Sequence, residues 1–485
     1  ETMQLVAVIG GKEKLVMEKQ VPEGGFPAGK VINVVKDFEV PGDVAIKIKD
    51  LGELSTANSY LVSEANQFYK FKATVKGNGY IPAALSEVAG TADIAPKSVL
   101  VLWYNTVQKD NKWVDACPIL LSSLVFYRDY VFFDTPKEFV PGNVVIAAFA
   151  EEGVTYDNIE VDENKNITNA TLLWSWNIWA AEGYDPEATA VTADGKVFMD
   201  RFVGAAISGK GTTGDYIPAG AVGNYYQWGR KDPFPAISDY TTTIPTQYSN
   251  ILFGTPTYTP INALKIDGQS SKMNLDGQMF GYRTNETGSL DSGNAWNLMK
   301  RNDISSDKST KNKVYVDYAT AHPYKCITND GNTFGGWRTW LNGDDPTYKS
   351  LWGGADHHKT LFDPCPAGWR IPSKDEATKF VNLAKTGNLA SNLHGMEFQG
   401  SYFPITGSRD CSNFGISYVR SVGVPVGSAF WTSDVYGYYS YVYAAVLNAP
   451  ANFSDKYKNG EAIDLESKLE YQNNANGNCV RCVKE

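Results

Sequence analysis

Apolar residues at every second position, cut by Gly, Pro and Asn turns, predict a mainly β chain, and one capped helix in its C-terminal third adds an α+β part. Two observations carry that expectation. Between 51 and 179 the segments NSYLV, QFYKFKATV, SVLVLWYNTV, ILLSSLVFY, YVFF, NVVIAAFA and TLLWSWNIW are rich in β-branched and aromatic residues, and turn clusters such as KGNGY, QKDNKW and TPKEFVPGN separate them. Strands at that spacing suit a β-sandwich module. Beyond a polar connector, DPEATAVTADGKV at 185–197, the chain is dominated by Gly, Asn, Asp, Ser, Thr and aromatic residues. Domains are therefore expected at 1–50, 51–184 and 185–485.

Residues 1–50 carry short strand-like pieces, MQLVAVIG, KLVMEKQV and KVINVVKDFEV, around the Pro/Gly stretch VPEGGFPAG. Two or three strands bury too little surface to stand alone, so this part is expected to be the end of a larger β domain. In TLLWSWNIW, period-two alternation puts Trp174 and Trp176 on one face and Trp179 on the other, where paired tryptophans are read as core. The long stretch from 236 to 360 offers few regular elements, and long irregular segments in a compact domain are usually functional loops. At 373–386, Ser373 and Glu376 form a capping box ahead of the apolar stripe Ala377, Phe380, Val381 and Ala384, and Gly387 stops the helix. Strands return in MEFQGSYFPIT, GISYVRSV, SAFWTSD, YSYVYAAVL and the closing CVRCVK.

With 43% hydrophobic and 20% charged residues, the 485-residue chain can bury a core. A net charge of −10 argues against nucleic acid, because phosphate binding needs a surplus of Lys and Arg. No apolar run is long enough to span a membrane. The chain opens at Glu1, which suggests a processed or trimmed form whose export signal or anchor lay upstream. Six cysteines fit an oxidising compartment, with fifteen pairings open to them, while reduced structural thiols are the competing reading.

The stretch KTLFDPCPAGWRIPSKDE at 359–376 anchors the C-terminal half, and FWTSD at 430–434 and VRCVK at 480–484 answer it. With FMDRFVGA at 198–205 and YYQWGRKDPFP at 225–235, these segments resemble the C-type-lectin-like paralogous domain of Bacteroidetes and Fibrobacter surface proteins. The blocks NSYLV, KGNG, VLW, GNVVIAAF and LLWSWNIW resemble the β module that commonly precedes that domain, and residues 1–50 resemble the last strands of a fimbrillin-type domain. The resemblance implies a β-sandwich (fimbrillin/Ig-like) module followed by a C-type-lectin-like domain. It also implies an extracellular adhesion or recognition protein at the cell surface, in an outer-membrane-associated fimbria, as a tip or accessory subunit. Its partners would be other fimbrial subunits and a host or microbial glycan or surface protein.

The paired Glu-Pro-Asn and Trp-Asn-Asp signatures of calcium-dependent sugar binding are missing, and Asp434 alone is a weak calcium ligand, so no cofactor is expected. GWRIPSKDE also resembles a segment of formylglycine-generating enzymes, a remote alternative. No G-x-S-x-G, H-E-x-x-H or P-loop pattern is present, and His357 and His358, adjacent in sequence, suit an exposed loop better than a metal site. No enzyme activity is expected.

Cys479 and Cys482 fall on opposite faces of a strand, which favours separate disulfides over a redox C-x-x-C; the expected pairs are Cys365 with Cys482 and Cys411 with Cys479, leaving Cys117 and Cys326. Ligand contact is expected from loop aromatics, Trp296, Trp337, Trp340, Trp352, Tyr436 and Tyr438, beside Asp434. The alternative role is a structural fimbrial subunit that assembles by β-strand donation and has no ligand of its own.

Overall fold

The computed structural model describes residues 2–9, 12–20, 48–107, 116–162, 166–211, 220–235, 240–243, 283–284, 290–291, 298–307, 309–328, 339–389, 395–409, 416–417, 427–437, 441–448 and 466–485. The chain divides into two compact units, Glu1–Lys49 and Asp50–Glu485. In the first, the strands Thr2–Ile9 and Lys12–Gln20 pair antiparallel, with Thr2 opposite Gln20 and Ile9 opposite Lys12.

The second unit is mainly β and is organised around a five-stranded sheet in the order Tyr240–Thr243, Ser98–Val107, Gly142–Phe149, Leu172–Ala180, Ser59–Val62. Only the last pair is parallel. Every residue of Gly142–Phe149 is buried. Val144, Ile146 and Ala148 join one core with Trp174 and Trp176, while Val145, Ala147 and Phe149 join a second with Leu100, Leu102 and Trp103. Burial of both faces explains why this strand reads as an unbroken apolar run.

On the first face, the strands Phe68–Lys72, Tyr130–Asp134 and Val125–Tyr127 form a smaller sheet. Its inward residues Phe71 and Phe133 are buried, and the Phe71 ring lies 5.2 Å from Trp176. The second face is packed by Phe198, Phe202, Phe403 and Phe430 from the segments that follow the sheet strand Leu172–Ala180. Residues before and after the expected boundary at 184–185 contribute to both cores. A lone sandwich would leave the outer face of this sheet in water, but here the following segments cover it.

Those segments converge on the last residues of the chain. Val483 lies opposite Phe198 and Arg370, and Tyr226 lies opposite Asn478. Met199 N donates to Cys482 O at 3.0 Å, Val203 N to Val480 O at 2.9 Å, and Trp431 N to Cys479 O at 3.1 Å. The closing strand therefore binds FMDRFVGA, YYQWGRKDPFP, the GWR turn and FWTSD through backbone hydrogen bonds. Cys365 and Cys482 form a disulfide, Cα atoms 6.1 Å apart, that ties the Pro-rich turn to the same strand. Cys479 is instead a buried thiol 3.6 Å from Val222 O, so its expected bond to Cys411 is not made; Cys411 lies outside the described residues. A strand whose carbonyls and amides are already paired on both sides holds this side chain among Val222, Thr406 and the second core. Cys117 and Cys326 are also thiols.

A helix runs Lys374–Ala384, with its capping box complete: Glu376 N donates to Ser373 Oγ at 3.2 Å and Ser373 N to Glu376 Oε2 at 2.8 Å. Arg370 grips the same carboxylate with two hydrogen bonds of 2.8 Å, and Lys196 Nζ lies 3.0 Å from it. Burial opposes ionisation of Glu376, but the Arg370 pair and the Ser373 amide outweigh it and pull its pKa from 4.5 down to about 2. A carboxylate whose folded pKa is depressed contributes stability above the unfolded value and loses it as pH falls through the folded one. Glu376→Gln is therefore expected to lower stability by about 2 kcal/mol at pH 7. In thermal melts the gap between the two proteins should close as pH drops from about 4.5 to about 2. An unchanged gap at the acid end would remove the ion pair as its source.

Candidate functional site: a tyrosine platform beside a helix start

The strands Gly427–Tyr436, Tyr441–Asn448 and Glu466–Asn473 form an antiparallel sheet. Toward one end of this sheet the side chains change from aliphatic to tyrosine. Ala445 and Leu447 belong to the second core, where the helix also places Phe380, and Leu469 packs partly buried against it. Past the start of the helix, Tyr441 stands opposite Tyr436 and Tyr443 opposite Tyr471. Opposite residues share a sheet face, so these four rings form one cluster.

The rings order one another. Tyr436 and Tyr471 stack with centroids 4.7 Å apart and planes 9° from parallel, Tyr443 stands edge-on to Tyr436 at 5.4 Å, and Tyr441 edge-on to Tyr471 at 5.1 Å. Tyr436 is 42% and Tyr471 53% exposed, so large aromatic side chains are held at the surface. Lys374 Nζ sits 4.5 Å from the centre of the Tyr443 ring, marking where the helix begins.

A bulge between Trp431 and Val435 turns FWTSD at this edge. It brings Asp434 Oδ2 to 2.6 Å from Lys374 N, so a carboxylate takes an amide of the helix start. His357, in the left-handed region at φ 51°, places Nδ1 3.2 Å from Ser433 Oγ and 3.9 Å from Asp434 Oδ2. The surface thus joins aromatic rings and phenol hydroxyls to one cation, one carboxylate and one imidazole. That is binding chemistry, since each group presents hydrogen-bonding or apolar contact.

Of the residues expected to meet a ligand, Tyr436 and Asp434 are brought together here, in a strand rather than in a loop. Trp340 and Trp352 are corrected: each is 1% exposed. Their indole N–H groups donate to Trp228 O at 2.8 Å and to Phe362 O at 3.0 Å, as Trp228 does to Thr432 O at 2.8 Å and Trp431 to Tyr226 O at 2.7 Å. Each ring is anchored by the backbone of another segment, which makes these tryptophans core. Trp296, Trp337 and Tyr438 lie outside the described residues. Tyr441, Tyr443, Tyr471 and His357 were missed in the sequence; period-two alternation in YVY is the signal that sets Tyr441 and Tyr443 on one face, whereas Tyr471 and His357 reach this edge only through tertiary packing.

The charged residues of YYQWGRKDPFP do not form a surface site. Arg230, Lys231 and Asp232 are all buried. Arg230 donates to Lys325 O at 2.6 Å and Gln227 Oε1 at 3.0 Å, while Lys231 pairs with Asp232 and Ser175 and lies 4.4 Å from the Trp174 ring centre. Burial draws the pKa of Lys231 below the usual lysine value, against the pull of Asp232.

Among the described residues, no three of His, Cys, Asp and Glu converge as metal ligands, and no helix is long and apolar enough to cross a membrane. Neither family models, nor curated proteins, nor solved structures match this chain.

Proposed function

We propose that this chain is an extracellular recognition protein, a tip or accessory subunit of a surface fibre, which binds a glycan or protein ligand without catalysis through the tyrosine platform. The exposed, mutually stacked pair Tyr436 and Tyr471 carries this reading. A surface residue that orders its neighbour in advance loses little rotamer freedom on binding, and tyrosine offers an apolar body with a polar tip. Lys374 and Asp434 supply opposite charges at the rim, which suit hydroxyl-rich or mixed-charge ligands.

A glycan and extracellular-matrix array, run with and without calcium, tests the proposal. Tyr436→Ala with Tyr471→Ala is expected to weaken binding at least about tenfold, as the loss of a binding hot spot does, with the melting temperature nearly unchanged. Binding that survives both changes sinks the platform, and loss in chelator points to a calcium site. A second reading is a structural subunit that assembles by strand donation; the hairpin Thr2–Ile9 with Lys12–Gln20, part of the separate unit Glu1–Lys49, favours it. Folded protein that binds nothing on the array yet enters fibres would support that reading.

A further inference from the structure

Two phenol rings meet face to face over the middle strand of the sheet that carries the platform. Strands on either side of a common neighbour lie about 10 Å apart, so Tyr436 of Gly427–Tyr436 and Tyr471 of Glu466–Asn473 lean over Tyr441–Asn448 to touch. Their ring centroids are 4.7 Å apart and their planes 9° from parallel, which puts the two π faces in van der Waals contact. Tyr443 stands edge-on to the Tyr436 ring at 5.4 Å and Tyr441 edge-on to the Tyr471 ring at 5.1 Å, so both rings are held from the side as well. Register sets this arrangement, since Tyr436 is opposite Tyr441 and Tyr443 opposite Tyr471 on one sheet face.

This pair differs in its chemistry from other stacked rings of the chain. Tyr60 stacks on Phe71, Tyr69 on Phe133 and Tyr318 on His322, so each of those pairs holds a single phenol. Tyr436 and Tyr471 are both phenols, and both are open to solvent. A phenol that gives up one electron and its proton becomes a tyrosyl radical, whose unpaired spin sits on the oxygen and on the ring carbons beside it. Two such radicals couple through those ortho carbons when they are held together. A stacked, exposed pair meets both conditions, access for a small oxidant and a partner already in contact.

We propose that Tyr436 and Tyr471 are an oxidative cross-linking site, joined as an intramolecular dityrosine by a one-electron oxidant such as hydrogen peroxide acting with a peroxidase. The two phenol hydrogens leave as two protons and two electrons, which reduce one hydrogen peroxide to two waters. One C–C bond forms between ortho carbons of the two rings. Each ring then moves its ortho hydrogen to oxygen and becomes a phenol again, so the net change is two C–H bonds broken and one C–C bond made. The product staples the first strand of the sheet to the third across the middle one, and thiol reductants do not open it. The reaction needs only the rings and an oxidant, whether or not the platform holds a ligand.

The test treats the full chain, kept dilute, with peroxidase and hydrogen peroxide, and free tyrosine in a parallel tube confirms that the oxidant couples phenols. The expected product migrates as a monomer, shows dityrosine fluorescence and has lost two hydrogen atoms by intact mass. After proteolysis, the peptides that contain Tyr436 and Tyr471 should appear as one linked species by mass spectrometry. Tyr471→Phe keeps a ring in the stack but removes its phenol, and is expected to abolish that species. A melting curve shows that the variant is folded; if it is not, the peptide map of the unaltered chain decides alone. Dityrosine found only in covalent dimers, or within the monomer only between other tyrosines, would overturn the proposal. So would a chain left unmodified while free tyrosine couples, or a linked species that survives in folded Tyr471→Phe.

Discussion

Lys359→Met is expected to destabilise the protein by about 3–5 kcal/mol, the usual effect of removing a buried charge from the groups arranged around it. Lys359 lies at the start of the Pro-rich stretch, 2% exposed at its side chain. Its ammonium donates to Cys365 O at 2.9 Å and to Pro366 O and Trp369 O at 2.5 Å each, with Glu485 Oε1 at 3.7 Å. Three carbonyls of one tight turn point inward because a cation awaits them there. Asp363 completes the knot, accepting from Cys365 N at 2.8 Å and Ile371 N at 2.9 Å. Methionine matches the length of lysine but donates nothing, so the carbonyls would be buried unpaired. Chemical denaturation of both proteins, with the disulfide intact, measures the difference. A change below about 1 kcal/mol would mean that water replaces the ammonium and that the turn is not organised by it.

The second large effect is expected at Gly77 in the KGNG turn. At φ 50°, a Cβ on this residue would lie 2.2 Å from Leu361 O and 2.8 Å from Leu361 Cα, so the obstacle is backbone that cannot swing aside. Its neighbours already bind the same segment: Asn78 Nδ2 donates to Lys359 O at 2.8 Å, and Asn58 Nδ2 donates to Leu361 O at 2.7 Å and Asp363 O at 2.8 Å. Gly77→Ala should therefore destabilise by about 3 kcal/mol, combining left-handed strain with loss of these contacts. Gly195, in the two-residue turn between Ala193 and Lys196, is a control, since it too has positive φ (76°) but an added Cβ meets nothing within 4 Å; Gly195→Ala should show the left-handed strain alone, about 1 kcal/mol. Equal melting temperatures for the two variants would show that the KGNG turn does not clamp the 359–363 segment. Because Lys359 and Gly77 act on one knot, the double variant should lose less than the sum of the two.

Local patterns in the sequence were informative wherever a residue acts on near neighbours. The capping box at Ser373 and Glu376 and the stripe Ala377, Phe380, Val381, Ala384 follow from spacing alone, and the helix Lys374–Ala384 buries that stripe. The apolar run NVVIAAF was readable as a strand, yet nothing in it says that both of its faces are covered. The tryptophans show why loops misled. An aromatic residue in a Gly- and Asn-rich stretch reads as exposed, but Trp340 donates to the distant carbonyl of Trp228 and Trp352 to that of Phe362, ten residues on, and both rings are buried. The same distance hid Tyr471 and His357, whose partners at the platform lie far away in the chain.

By itself, then, the sequence determined the mainly β character, the capped helix and the segments that recur as landmarks, because alternation, capping and turn chemistry act over a few residues. Tertiary structure alone decided what those landmarks do. The closing strand pairs with four of them at once, the Arg230 and Lys231 charges are sealed inside, and the tyrosines continue past the helix start into water. The reason is physical: whether a strand face or a charge is buried depends on which other segment lies over it, and that is set by the packing of distant parts of the chain.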